Sequence, residues 1–276
     1  MQHLNPDLPI GLFDSGVGGL TVAHAITRHL PHERIIYFGD TAHMPYGEKS
    51  VEAIRHYSLR IADFLLALQC KCIIMACNTA SAAAYDAVAD AIGDKTLLLN
   101  VIDPVVEAVQ NAQLQHVGVI STARTYKSEV YPEKLSRQCP NLKVTAKATP
   151  SLAQMIEEGL HHAPQVMAAI TEHYLSDKQL TDIQGLVLAC THYPLIRADI
   201  ERYYEANNKP CPEIFDSTDT LALALTQQLA DYKLLRQSDE IPLHRFFVSD
   251  YTQAFEQTAA HFFQHPIKLQ HYPIWE

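Results

Sequence analysis

The chain has 276 residues, a formal net charge of −10, 47% apolar and 19% charged residues. That length holds one large or two small domains, and the balance is that of a globular protein. The negative charge excludes nucleic acid and an anionic membrane surface as organising partners, since both want a basic footprint. A small anionic substrate stays open, because backbone N–H groups at helix N-termini hold a carboxylate without much help from Lys or Arg. No apolar run is long enough to span a bilayer. Residues 1–9 carry neither a basic n-region nor an apolar h-region, so no secretory signal is expected and the expected location is cytoplasmic.

In chain order, an apolar run at 10–13 reads as a first strand. Asp14-Ser15-Gly16-Val17-Gly18-Gly19 follows, then helical spacing over 20–30. The glycines fail the dinucleotide pattern, because Thr21 stands where the third glycine is required. Asp14 or Ser15 reads equally as a helix N-cap and as part of a polar ligand turn. A second strand spans 34–38, followed by Gly39-Asp40-Thr41 and a turn at Met44-Pro45-Tyr46-Gly47. A helix over 50–67 carries Ile54, Tyr57, Ile61, Phe64 and Leu65 on one face. Strand 72–76 stops at Cys77, an Ala-rich helix covers 80–91, and a fourth strand over 97–102 stops at Asp103-Pro104.

The pattern then restarts. A helix at 105–112 leads to a strand at 117–120 that ends in Ser121-Thr122. A helix over 126–137, a strand over 142–148 and a short helix over 151–159 come next. A helix at 164–175 precedes strand 185–189, which ends at Cys190, and a helix runs over 196–204. A strand at 213–215 is capped by Asp216-Ser217 into a helix over 220–229. Residues 236–242 read as an exposed linker, 246–248 as a last strand, 252–263 as a last helix and 265–276 as a tail.

Two phrases recur. Ala76-Cys77-Asn78-Thr79 and Ala189-Cys190-Thr191-His192 both end apolar strands, 190 − 77 = 113 residues apart. Gly11 and Gly118 occupy matching places in their strands, 118 − 11 = 107 apart. Two landmarks at nearly one offset point to an internal duplication. Strands alternating with helices imply parallel sheets. The expectation is an α/β protein of two pseudo-symmetric three-layer domains with mainly parallel sheets. Residues 1–102, completed by 213–276, form the first domain, and 103–212 form the second. Ligands of such sheets sit at the carboxyl ends of strands, so Asp14, Cys77, Thr122 and Cys190 are expected to share the interdomain cleft.

The six cysteines are Cys70, Cys72, Cys77, Cys139, Cys190 and Cys211. None forms a Cys-x-x-Cys pair, which argues against zinc, dithiol redox and disulfide roles. Most read as plain buried or surface thiols. Cys77 and Cys190 stand apart because the repetition puts both at strand ends. One activated thiol suggests a nucleophile. Two on opposite walls suggest proton removal on one face of a carbon and delivery on the other, which inverts a stereocentre. A carbon acid beside a carboxylate needs oriented donors to stabilise its carbanionic transition state, and Ser15, Asn78, Thr79 and Thr191 offer them. Asp14 is placed to accept a thiol proton, and His192 to orient Cys190 or, when charged, to favour its thiolate. The plainer readings are a helix cap for Asp14, a structural imidazole for His192 and a solvated helix-end charge for Glu157.

These motifs closely resemble the cofactor-independent aspartate/glutamate racemases, and the glutamate racemases in particular. The resemblance is carried by residues 13–21, by Gly39-Asp40-Thr41 with Pro45-Tyr46-Gly47, by Ala76-Cys77-Asn78-Thr79-Ala80 and by Ala189-Cys190-Thr191-His192-Tyr193-Pro194-Leu195. Ile214-Phe215-Asp216-Ser217 is similar to the family's return strand. It implies Cys77 and Cys190 as the catalytic acid/bases, Cys77 acting on the D-enantiomer and Cys190 on the L-enantiomer. Asp14, His192 and Glu157 assist them. It further implies substrate contacts from Asp14, Ser15, Pro45, Tyr46, Gly47, Asn78, Thr79, Thr122, Thr125, Thr191 and His192. Also implied are glutamate as substrate, no pyridoxal phosphate or metal, D-glutamate supply for peptidoglycan, a homodimer, and an effector among peptidoglycan precursors. Two alternatives remain: a racemase of aspartate or another amino acid (or a one-thiol enzyme) on the same fold, and a two-domain solute-binding module. The module has no use for a cysteine in both repeats.

Overall fold

The computed structural model describes residues 4–238 and 240–276. The strands are β1 Ile10–Asp14, β2 Ile35–Gly39, β3 Cys72–Met75, β4 Leu97–Asn100 and β5 His116–Ser121. They continue with β6 Lys143–Ala148, β7 Gly185–Ala189, β8 Glu213–Asp216, β9 Arg245–Val248 and β10 Leu269–His271. They form two sheets, ordered β10-β9-β2-β1-β3-β4 and β6-β5-β7-β8, and every pairing is parallel. The chain is thus α/β with two parallel sheets.

The order β2-β1-β3-β4 in one sheet repeats as β6-β5-β7-β8 in the other. Register shows the repeat at residue level. Gly11 lies opposite Ile73 and Gly118 opposite Leu186. The partners are 186 − 73 = 113 apart, which is the cysteine spacing. The extra 113 − 107 = 6 residues fall between the first and third strands of each unit, outside the ladders.

Strands β1, β2 and β3 are buried along their whole length. Central parallel strands covered by helices on both faces read as continuous apolar runs, and these do. The helix Asn78–Ile92 packs on Val51–Ala67 and buries Ala80, Ala83 and Ala84 at the contact. The helix Ser217–Asp231 lies against both Leu20–His29 and Asp103–Asn111, joining the layers of the two halves.

Five local expectations change. The strand Glu213–Asp216, grouped in sequence with the first domain, pairs with β7 and completes the second sheet; the chain returns to the first sheet only at β9. The strand expected to reach 102 ends at Asn100, whose side-chain oxygen accepts the N–H groups of Ile102 and Asp103 at 2.8 and 3.0 Å and turns the chain. The helix expected over 126–137 is two helices, Ala123–Ser128 and Val130–Gln138, separated by Glu129 in the left-handed region. Pro132, with no N–H to donate, falls in the first turn of the second helix, where helices tolerate proline. The presumed linker 236–242 begins with a buried residue. The Arg236 N–H donates to Glu33 at 2.9 Å and its guanidinium to the His32 carbonyl at 2.8 Å. Finally, the tail contains β10, three residues with one buried apolar side chain, too short to leave a period in sequence.

Candidate active site

The carboxyl ends of both sheets open into one cleft. It is lined by Ser15, Pro45, Tyr46, Gly47, Cys77, Asn78 and Thr79 from the first half, and by Thr122, Glu157, Cys190, Thr191 and His192 from the second. Of the residues singled out in sequence, Asp14 and Thr125 do not line it. Both are buried immediately behind, reaching it through Ser15 and Thr122.

Cys77 follows β3 and is the N-cap of the helix Asn78–Ile92. The Ala80 N–H points at its Sγ, 3.4 Å away. A helix N-terminus is where developing negative charge on sulfur is best received. The Ser15 hydroxyl lies 3.6 Å from the same sulfur and 3.4 Å from Asp14 Oδ1. Sulfur, hydroxyl and carboxyl therefore form one chain of proton-bearing atoms. Burial first, and then the charge of Asp14, push the Cys77 thiol up, so it holds its proton. Burial likewise raises Asp14, against the pull of His192 and of the Gly19 N–H, which donates to Asp14 Oδ2 at 2.6 Å. The carboxyl thus braces the glycine turn and lies within reach of the Ser15 hydroxyl. Asp14 is not the N-cap expected as one reading of the sequence: the helix Leu20–His29 has Gly19 at that position and no side-chain cap.

Cys190 follows β7 and enters a short 3-10 turn, Tyr193–Ile196, instead of a long helix. Its sulfur has an imidazole in place of a helix terminus: His192 Nδ1 lies 3.5 Å from Cys190 Sγ, and His192 Nε2 lies 2.6 Å from Glu157 Oε1. Burial alone lowers the His192 pKa. The charges of Glu157 and of the Cys190 sulfur, with hydrogen bonds to both, outweigh it and hold the ring well above its ordinary value. The two halves therefore place two differently surrounded thiols in the cleft, Cys77 with Ser15 and Asp14 and Cys190 with His192 and Glu157.

Gly18 explains the glycine turn. A Cβ there would stand 2.3 Å from His192 Cε1 and 2.6 Å from Nδ1. The turn makes room for the imidazole of the opposite half. Thr21 ties the same contact, its hydroxyl donating to the Thr191 carbonyl at 3.0 Å.

The far wall is Thr79 and Thr122, backed across the halves by Thr125. Thr79 Oγ1 is 3.0 Å from Thr122 Oγ1 and 3.3 Å from Thr125 Oγ1. The Asn78 side-chain oxygen accepts from Tyr131 at 2.6 Å, and among the described residues its Nδ2 has no acceptor. A buried donor left free costs stability unless something polar meets it, and Asn78 faces the cleft. A substrate carboxylate fits that requirement.

Sequence reasoning left two groups without a role, although Asp40 stands in one of the motifs that carry the resemblance. Asp40 is a buried hub that accepts from Tyr46 at 2.7 Å, Ser249 at 2.7 Å and Trp275 at 2.9 Å, and so fixes the Tyr46–Gly47 wall. Thr149, Pro150, Ser151, Ala153 and Gln154 also line the cleft. Thr149-Pro150-Ser151 follows β6, so the strand-end rule applied to the other motifs would have found it.

The sequence model of the Asp/Glu/Hydantoin racemase family matches residues 20–225. Two similar proteins are the glutamate racemases of Chlorobium phaeobacteroides, 40% identical over 92% of this chain and 93% of that one, and of Chlorobaculum tepidum, 41% identical over 93% of each. Among solved structures, the Francisella tularensis glutamate racemase in complex with D-glutamate superposes with a TM-score of 0.90 at 34% identity, covering 98% of this chain and 99% of that one. The Escherichia coli glutamate racemase, solved with L-glutamate and the activator UDP-MurNAc-ala, shares the fold at a TM-score of 0.72 and 23% identity, covering 93% of this chain and 94% of that one. With the match spanning most of its length, the chain belongs to the Asp/Glu/Hydantoin racemase family.

Proposed function

We propose that the protein interconverts L- and D-glutamate by two-base proton transfer at Cα, with no cofactor. One observation carries the reading: two thiols from opposite sheets line one cleft, each with its own proton partner. Glutamate as the substrate is supported by the relatives that align along nearly the whole chain.

For L-glutamate, the Cα–H bond breaks and its proton passes to Cys190 Sγ. The electron pair left on Cα delocalises into the α-carboxylate, where N–H and hydroxyl donors at the strand ends stabilise it. The Cys77 S–H bond then breaks as a new C–H bond forms on the opposite face, and D-glutamate results. Cys77 then regains a proton from solvent by way of Ser15 and Asp14, and Cys190, beside the charged His192, releases its proton to solvent and returns to the thiolate. The reverse reaction exchanges the roles. The buried, proton-holding Cys77 suits the acid of the L-to-D direction.

By the same resemblance, the protein is a cytoplasmic homodimer that supplies D-glutamate for peptidoglycan and responds to a peptidoglycan precursor. Light scattering of the purified protein and rates with and without UDP-MurNAc-Ala test those points separately. The substrate is tested by following optical rotation with L- and D-glutamate and with L- and D-aspartate. Turnover of both glutamate enantiomers and little of aspartate is expected. Preference for aspartate would move the assignment within the family, and tight glutamate binding without turnover would leave a solute-binding module.

A further inference from the structure

Outside the cleft, His161, His162 and His261 each bring a ring nitrogen within 4.8 Å of the other two. The first two close the 3-10 turn Leu160–His162, and the third lies on the helix Gln253–Phe263. His161 Nδ1 is 2.9 Å from the Ile156 carbonyl oxygen. A carbonyl only accepts, so that nitrogen carries the hydrogen, and in the neutral ring Nε2 is left with its lone pair. Nε2 points at His261 Nε2, 3.0 Å away. The His162 ring stands 4.0 Å from His161 and 4.6 Å from His261, centre to centre. Exposed His162 and His261 open the cluster to solvent.

We propose that these three imidazoles form a binding site for one divalent transition-metal ion of the zinc, cobalt and nickel class. Imidazole nitrogens sit about 2.0–2.1 Å from such an ion, which puts them roughly 3.3 Å from one another in a tetrahedron. Nitrogens already within 4.8 Å reach that spacing by small ring rotations. The Ile156 carbonyl is the acceptor that metal-bound imidazoles use to fix tautomer and ring plane. A fourth position open to water completes the coordination. Magnesium and calcium, which take oxygen ligands, are excluded by the donor set. The ion ties the segment after Leu152–Glu157 to the C-terminal helix. Both tie points adjoin the cleft: Ile156 precedes Glu157, and Phe262, next to His261, packs edge-on to His192 at 5.3 Å.

The test is titration of the chelator-treated full chain with cobalt(II), read by visible absorption. One equivalent per chain is expected, with ligand-field bands and without the sulfur-to-cobalt charge-transfer band that binding at Cys77 or Cys190 would give. His162→Ala and His261→Ala should each weaken binding about ten-fold or more, since loss of even an orienting partner costs that much. His173→Ala, an exposed histidine elsewhere, should change nothing. The affected positions are exposed, so circular dichroism of the variants should match the parent. No stoichiometric binding by the parent, a charge-transfer band, or undiminished binding by the His162→Ala/His261→Ala double variant would overturn the proposal.

Discussion

His192 carries an electrostatic conflict that Glu157 resolves. Removing Glu157's charge with Glu157→Gln lets burial act on the ring, and loss of an adjacent opposite charge moves a pKa by about one to three pH units. The expected outcome is a His192-dependent limb of the kcat/KM profile displaced to lower pH, with less activity at neutral pH; a profile that keeps its place would count against the pairing. The stability sign follows. The folded His192 pKa lies above its unfolded value of ~6.5, so its contribution is full below about pH 6.5 and is lost as pH rises through the folded value. Cys77→Ala and Cys190→Ala should each lower racemisation by about 10²–10⁴-fold, the usual share of a positioned acid/base, measured by optical rotation from both enantiomers. The thiols, His192 and the threonines were legible because each sits beside a strand end. The role of Asp40 was not, although its motif was: its partners Ser249 and Trp275 come from more than two hundred residues away, and nothing local marks such a contact.

The glycine turn and the helix starting at Asn78 are the elements that shape the site. Gly18→Ala places a methyl group against the His192 ring at distances no side chain tolerates. Overpacking of this kind costs about 1–3 kcal/mol. The variant should unfold at lower denaturant and lose more activity than stability, because the atom displaced is in the site. Activity equal to the parent would show that the ring relocates freely. Elements with a strong period, such as Pro164–Leu175 and Gly185–Ala189, matched their expected bounds. The break at Glu129 did not show, since a glutamate in a left-handed conformation has no sequence signature, whereas a glycine would have had one.

At the scale of the molecule, two copies of one βα arrangement face each other, and a buried ion pair fastens the returning chain. Lys71 Nζ meets Glu33 at 2.6 Å and donates to the carbonyls of Pro6 and Leu234 at 2.5 and 2.8 Å. Lys71→Met leaves the Glu33 charge without its cation, with only the Arg236 N–H still donating to it, and breaking one side of a buried pair costs about 3–5 kcal/mol. Urea unfolding should show that loss, with kcat retained in the folded fraction; an unchanged midpoint would mean the pair is neutral. The duplication was readable from two spacings, but the place of β8 was not, because pairing with β7 is a property of the sheet and not of its four residues. The central claim is that the two halves act on opposite faces of one carbon. Racemisation of L-glutamate in deuterated water, stopped early and read by mass at Cα, tests it most directly. Deuterium in the D-product and none in recovered L-substrate is predicted. Protium carried from substrate into product, or deuterium in both from the start, would mean that one group serves both faces.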